Sequence, residues 1–448
     1  MFDEWIGAGR EVAVIGLGRS GVAVSGLLSR HGVQVYASDE SLAIADSAVE
    51  ALQADGVVVD LGTHDLARIG TSIAVVVSPG VPPTASPILA AKKAGTPVYA
   101  EVDVAARALP PSTRIVGVTG TNGKTTTTAL VAHLLHETGV GAVAAGNIGL
   151  PLSLVAGEEH PPGWVVVELS SFQLHDAPHL APAVGIFTNL VPDHLDRYDS
   201  LEQYYADKAN LFRNATVDSV WVINADDPEV SRVAEGVPGR HLTFSTSGPA
   251  DARYDPHILA LVVRDVEVLR RSDLRLLGMH NVSNALAAIL AAQAAGAPLE
   301  SLGRALTSFR PLAHRLEPVR TVDRVLWIND SKATNVGSTV MATAAVDQPF
   351  VLLLGGRHKG VPYSSLAPTL GRCQAVVAFG EAQPFVVRDL GDIVPVHTEG
   401  SFEDVIERAR TLARPGDAVL LSPACSSFDM FSNYEERGTE FRRAVEAM

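Results

Sequence analysis

Residues 115–126 read Ile-Val-Gly-Val-Thr-Gly-Thr-Asn-Gly-Lys-Thr-Thr, an apolar run that enters a glycine-rich turn at Gly120, Thr121, Asn122 and Gly123. Such a turn between a strand and a helix offers backbone N–H groups to phosphate oxygens. A lysine at its end reaches the outer phosphates, and the hydroxyl that follows binds Mg2+. Lys124 and Thr125, with Thr126 behind them, fit those roles. Val118 stands where the longer form of this loop has its first glycine, so the loop is the shorter GxxGKT form. The chemistry it points to is that of a nucleoside triphosphate.

Three further groups could join it. Glu168 closes the apolar run 164–168; it reads as the Mg2+ ligand that an enzyme of this type holds there or as an ordinary acid at a strand end. Asp193, His194 and Asp196 follow the next apolar run; they read as a second set of metal ligands or as a polar turn. Lys208 sits in Tyr-Tyr-Ala-Asp-Lys on a helix-like stretch, where a lone lysine is ordinarily a solvated side chain. Lysine is scarce in this chain, however. The 35 basic residues include only Lys92, Lys93, Lys124, Lys208, Lys332 and Lys359, the rest being arginine. Lysine is therefore expected where arginine cannot substitute. A desolvated lysine amine can take up CO2 as a carbamate, reversing its charge.

A second glycine turn, Gly16-Leu-Gly-Arg19-Ser20-Gly21, is a GxGxxG, and Asp39 ends the next apolar run. This pattern suits a dinucleotide, another nucleotide, or plain helix–strand packing. Ser78, in Val-Ser-Pro-Gly, ends a third run and could reach the same crevice or simply form a turn.

These residues need strand ends to stand on, and the chain supplies them. Short β-branched runs at 12–15, 33–37, 73–77, 115–118, 164–168, 184–188, 220–224, 325–329, 351–354, 375–379 and 418–421 alternate with helical stretches such as 283–295. That rhythm predicts an α/β fold of mostly parallel sheets. Proline-bearing seams at 108–113 and 308–312 mark linkers. With 448 residues, about three domains are expected. A formal charge of −15 argues against nucleic acid or an anionic membrane as partner. Two cysteines, Cys373 and Cys425, suit a reducing compartment. Acids near the N-terminus and the lack of a long apolar run predict a cytoplasmic protein without membrane insertion.

Taken together, these motifs resemble the Mur ligases, ATP-dependent amide-forming enzymes of bacterial peptidoglycan synthesis. The resemblance rests on Gly120–Thr125, Gly146-Asn147-Ile-Gly149, Glu168-Leu-Ser-Ser-Phe-Gln173, Asp193-His194, Lys208, His280-Asn281, His314-Arg315, Asp330-Ser331-Lys332-Ala-Thr334-Asn335, Lys359 and Ser422-Pro-Ala-Cys-Ser-Ser427-Phe-Asp429. The Asp330–Asn335 and Ser422–Ser427 stretches resemble the D-glutamate-adding members in particular. The resemblance implies a Rossmann-like N-terminal domain for a UDP-sugar (1–102), a central P-loop ATPase domain with a mostly parallel sheet (103–311) and a Rossmann-like C-terminal domain for the incoming amino acid (312–448). It implies UDP-N-acetylmuramoyl-L-alanine and D-glutamate as substrates, ATP, two Mg2+ and a monomer.

By position it assigns Arg19, Ser20, Asp39, Ser78 and Asn147 to the UDP-sugar, and Asn281, Arg315 and Asp330 to the adenosine and phosphates of ATP. Thr125 and Glu168 become ligands of one Mg2+, His194 and carbamylated Lys208 of the other. Lys332, Thr334, Lys359, Ser427, Phe428 and Tyr434 surround the incoming glutamate, with Lys332 counted as catalytic beside Lys124, Glu168, His194 and Lys208. Arg19 stands where an apolar residue is usual and Tyr434 where a phenylalanine is usual. The alternatives are a Mur ligase adding a different amino acid, an NAD-dependent dehydrogenase suggested by the first glycine turn, and a non-catalytic nucleotide-binding regulator.

Overall fold

The computed structural model describes residues 1–193, 198 and 200–448. The chain packs as two compact units, Met1–Arg271 with Ser283–Thr307, and Ser272–Val282 with Ser308–Met448. Among the described residues the strands form three sheets, and each ends its parallel strands on loops that carry predicted site residues.

The first unit holds two of them. One is a five-stranded parallel sheet in the order Val58–Leu61, Val35–Asp39, Val12–Ile15, Ala74–Val77, Val98–Ala100. Its central strand Val12–Ile15 is buried on both faces, which is why it reads as an unbroken apolar run rather than an alternating one. The other sheet has nine strands, running from Ala142–Gly146 at one edge through Trp164–Glu168, Arg114–Thr119, Val184–Phe187, Val220–Asn224 and Arg240–Ser245 to Ala252–Asp255, Ala260–Val263 and Val266–Arg270. The last three pair antiparallel, a departure from the parallel pattern read from sequence.

The hairpin between Ala260–Val263 and Val266–Arg270 turns on Arg264 and Asp265, both at positive φ (45° and 67°). Two such residues in succession give the turn whose twist matches paired strands. The edge strand Ala142–Gly146 is also absent from the sequence reading, because Ala-Val-Ala-Ala-Gly has helical composition. It pairs with Trp164–Glu168 so that Gly146 lies opposite Glu168.

The second unit has a six-stranded sheet in the order Glu317–Val322, Val325–Asn329, Ala418–Leu421, Phe350–Gly355, Cys373–Phe379, Val396–Glu399. Only its first pair is antiparallel, joined through Asp323 and Arg324 at φ 50° and 65°. Successive residues of Phe350–Gly355 serve opposite layers. Phe350, Leu352 and Leu354 pack with Val336, Leu366 and Val386, while Val351 and Leu353 pack with Val405 and Phe441. Each such side chain removed from water stabilises the fold by about 2 kcal/mol. Both cysteines are free. Among the described residues no helix is long and apolar enough to cross a membrane.

Candidate active site

The strand Arg114–Thr119 delivers Gly120 onto a loop that turns into the helix Lys124–Glu137. Gly120 has φ +139°, and a Cβ there would lie 1.9 Å from Thr188 Oγ1. Only glycine fits both demands. Thr188 Oγ1 in turn donates to the Asn122 carbonyl (2.6 Å), and Asn122 N–H donates to Asn189 Oδ1 (2.8 Å). The strand following Glu168 thus fixes the shape of the loop from outside it. Lys124 folds back, donating from Nζ to the carbonyls of Gly120 (2.9 Å) and Thr121 (2.7 Å).

Lys208 arrives at the same carbonyl. It ends the helix Leu201–Ala209, which Ser200 caps by accepting from Gln203 N–H. The side chain is buried, and Nζ donates to Gly120 O at 2.8 Å while lying 4.8 Å from the Tyr204 ring centre. Lys208 is thus not a solvated side chain, as the scarcity of lysine led one to expect: helix 201–209 turns it inward, with Tyr204 and Tyr205 on the same segment buried beside it. Burial, and then the like charge of Lys124, push its pKa well below that of an ordinary lysine. That raises the share of neutral, nucleophilic amine.

Glu168 is buried at the end of its strand. Its Oε1 accepts from Asn147 Nδ2 at 2.9 Å, a contact set by the Gly146–Glu168 pairing. Its Oε2 is buried with no hydrogen-bond partner among the described residues. An orphaned carboxylate oxygen of this kind is costly unless a cation meets it, and hard oxygen donors suit Mg2+. Thr125 lies in the first turn of the loop helix, next to Lys124. His194 lies outside the described residues.

Asn147 also lines a cavity of about 720 Å³, together with Arg19, Ser20, Asp39 and Ser78. All five residues predicted for the UDP-sugar therefore share one space, and the Asn147–Glu168 contact stands at its edge. The GxGxxG is built by close approach: a Cβ on Gly21 would fall 1.8 Å from Gly16 O. Ser78 Oγ donates to that same Gly16 carbonyl at 2.7 Å, bracing the turn. Asp39 accepts from Leu17 N–H (2.6 Å) and Ser41 N–H (2.7 Å), so part of its capacity goes to holding the loops around the cavity.

In the second unit, Asp330 follows the strand Val325–Asn329 and is buried. Its carboxyl accepts from Leu316 N–H (3.1 Å) and Ser422 Oγ (2.9 Å), and burial pushes its pKa up to about 7. Arg315 lies between His314 and Leu316, both at positive φ. Asn281 Nδ2 donates to Leu277 O. Lys332 Nζ lies 3.8 Å from the Tyr434 ring centre, and Lys359 Nζ donates to Thr334 O at 2.9 Å. Ser427 is buried, whereas Phe428 is 62 % exposed.

Three family profiles cover most of the chain. "Mur ligase MurD-like, N-terminal domain" matches residues 10–100, "Mur ligase middle domain" 118–292 and "Mur ligase, glutamate ligase domain" 314–425. The UDP-N-acetylmuramoylalanine--D-glutamate ligase of Salinibacter ruber is 40 % identical, over 97 % of each chain. The enzyme of that name from Anaeromyxobacter dehalogenans is 43 % identical, again over 97 % of each. The chain belongs to the Mur ligase family.

A solved UDP-N-acetylmuramate-alanine ligase from Thermotoga maritima shares this Mur ligase fold, with a TM-score of 0.62 at 20 % identity over 98 % of this chain and 99 % of that one. Some residues packed against the glycine-rich loop escaped sequence reasoning. Asn284 accepts from Thr127 Oγ1 (3.3 Å), and a Cβ on Gly123 would meet Asn284 Oδ1 at 2.4 Å. Its signal was available, as a polar residue at i+3 from Asn281 in a helix otherwise rich in Ala and Leu. Tyr204, hydrogen-bonded to Thr121 Oγ1 at 3.1 Å, had no such signal.

Two outcomes follow for this Mur ligase. Gly120→Ala meets both a disfavoured φ and the Thr188 hydroxyl, so it lowers stability by about 2 kcal/mol and abolishes protection by ATP. Thermal unfolding with and without nucleotide reads both. Asp330 keeps its proton in the folded state between its ordinary 3.8 and about 7. Its contribution is then full below 3.8 and lost as pH rises through 7. Urea unfolding of Asp330→Asn from pH 4 to 8 should fall less steeply with pH than that of the wild type.

Proposed function

We propose that this Mur ligase joins D-glutamate to UDP-N-acetylmuramoyl-L-alanine with hydrolysis of ATP to ADP and phosphate, acting as a cytoplasmic monomer in peptidoglycan precursor synthesis. The observation that carries the reading is identity of about 40 % over nearly the whole length to ligases named for that reaction. The geometry of the first unit supports it, since the cavity with Asn147 borders Glu168, and the phosphate loop meets Lys208 at Gly120.

A carboxylate is a poor electrophile. Its oxygen attacks the γ-phosphorus of ATP, ADP leaves, and an acyl phosphate results. The D-glutamate amine then adds to the acyl carbon, and the tetrahedral intermediate expels phosphate. In this reading Lys124 exchanges its two loop carbonyls for phosphate oxygens and neutralises charge on the transferring group. The loop N–H groups at the helix start hold the remaining oxygens. Asn147 orients Glu168, leaving Oε2 to face a cation.

Thr125 and Glu168 would hold one Mg2+, and His194 with Lys208 a second, the ions supplying charge neutralisation on the phosphates. In its neutral form, which the lowered pKa favours, the buried amine of Lys208 adds CO2 and releases a proton, giving the anionic oxygens such a site requires. Nζ–H can still donate to Gly120 O afterwards. On the C-terminal residues, Lys332 and Lys359 pair with the glutamate carboxylates, while Thr334, Ser427, Phe428 and Tyr434 shape the pocket. Asn281, Arg315 and Asp330 contact ATP, Asp330 through whatever accepting capacity its internal bonds leave. We also infer a functional division into residues 1–102, 103–311 and 312–448.

The test is phosphate release in the presence of UDP-N-acetylmuramoyl-L-alanine, ATP and Mg2+. D-glutamate should elicit it and L-alanine or L-lysine should not. Equal release with all three acceptors overturns the specificity, and intact ATP in the full mixture overturns the reaction.

A further inference from the structure

Arg437 has no part in the chemistry above, yet it is fully buried in the second unit. It lies in the first turn of the helix Tyr434–Glu446, capped by Asn433. Its Nε donates to Ser331 Oγ (3.0 Å) and its Nη2 to Ser331 O (2.9 Å). Nη1 and Nη2 both donate to Cys425 O, each at 3.3 Å. Ser331 Oγ passes the contact on, donating to Tyr434 O at 2.8 Å. One guanidinium therefore joins two chain segments remote in sequence. The first carries Lys332 and Thr334, and the second carries Ser427 and Phe428.

The acceptors are carbonyls and a hydroxyl. Among the described residues no carboxylate forms an ion pair with Arg437, and Asp429 acts on it only through space. A buried cation whose donors all go to backbone carbonyls and a hydroxyl is costly, and here its forked shape joins the two segments. Burial draws its pKa down to about 10, which leaves it charged at neutral pH. The planar fork also explains the residue type, because a lysine could not span both segments.

We propose that Arg437 is a positioning residue for the acceptor site: its guanidinium locks the Ser331–Lys332 turn to the Cys425–Ser427 turn and so holds the side chains that receive the incoming amino acid. The proposal rests on the D-glutamate reading above.

Arg437→Lys keeps the charge and loses the fork, and Ser331→Ala removes one acceptor with little change in volume. The readouts are KM for D-glutamate, for ATP and for the donor nucleotide, and acyl phosphate trapped by hydroxylamine without D-glutamate. Arg437→Lys should raise KM for D-glutamate about tenfold and Ser331→Ala about threefold. The other two KM values and the trapped acyl phosphate should stay within about twofold. Arg437→Met, which removes every donor of the fork, should raise the D-glutamate KM at least as far as Arg437→Lys. An unshifted D-glutamate KM in folded variants, or equal shifts for all three substrates, overturns the proposal. Should the Arg437 variants fail to fold, Ser331→Ala decides by the same criteria. Absence of wild-type turnover with D-glutamate overturns the functional reading instead, so the two failures are distinct.

Discussion

Lys208→Ala loses about a thousandfold in kcat, and a small carboxylate such as formate or acetate restores part of it. The amine is buried and bonded to Gly120 O, and burial with the like charge of Lys124 lowers its pKa well below that of an ordinary lysine. If its work is done as a carbamate, alanine leaves a gap where two anionic oxygens belonged, and a free carboxylate can enter that gap. Lys208→Arg cannot be rescued in this way. It fills the gap with a permanent cation beside Lys124, which already acts unfavourably on charge at this position. Titrating both variants with formate under saturating substrates separates the cases. Unimpaired Lys208→Ala turnover would remove the carbamate from the mechanism.

The second large effect is expected at the phosphate loop. Lys124→Met retains much of the length of the side chain and loses the ammonium, so kcat falls by about three orders of magnitude, or roughly 4 kcal/mol of transition-state stabilisation. ATP binding should weaken far less, because the loop N–H groups remain. Removing Lys124 also removes two donors to the Gly120 and Thr121 carbonyls, so unfolding should be followed alongside. Loss of nucleotide affinity with kcat unchanged would show instead that Lys124 acts on the ground state.

The phosphate loop, the strand-end Glu168 and the parallel frame were legible in the sequence because each has a local pattern. The antiparallel hairpins were not. Arg264-Asp265 and Asp323-Arg324 adopt left-handed backbone that sequence reasoning expects of Asn-Gly or Asp-Gly pairs, so nothing announced the turn. Burial of Lys208 was signalled only by the scarcity of lysine, since a nine-residue helix with Glu202 and Asp207 gives little sign of which face turns inward. Position alone assigned Asn147 to the sugar nucleotide, and its grip on Glu168 emerges only from strand register. Asp330 is a different case. Its place at a strand end was readable, but its internal bonds to Leu316 and Ser422 depend on segments distant in the chain.

The helix Met279–Ala294 starts in one compact unit and finishes in the other. A protease cut or a stop codon near residue 272 would consequently not liberate an intact N-terminal half. It would strip away Ser283–Thr307 and, with it, the Asn284 side chain that closes over Gly123. Anyone wishing to study nucleotide binding in isolation would need to splice that returning stretch back on, for instance through a circularly permuted gene.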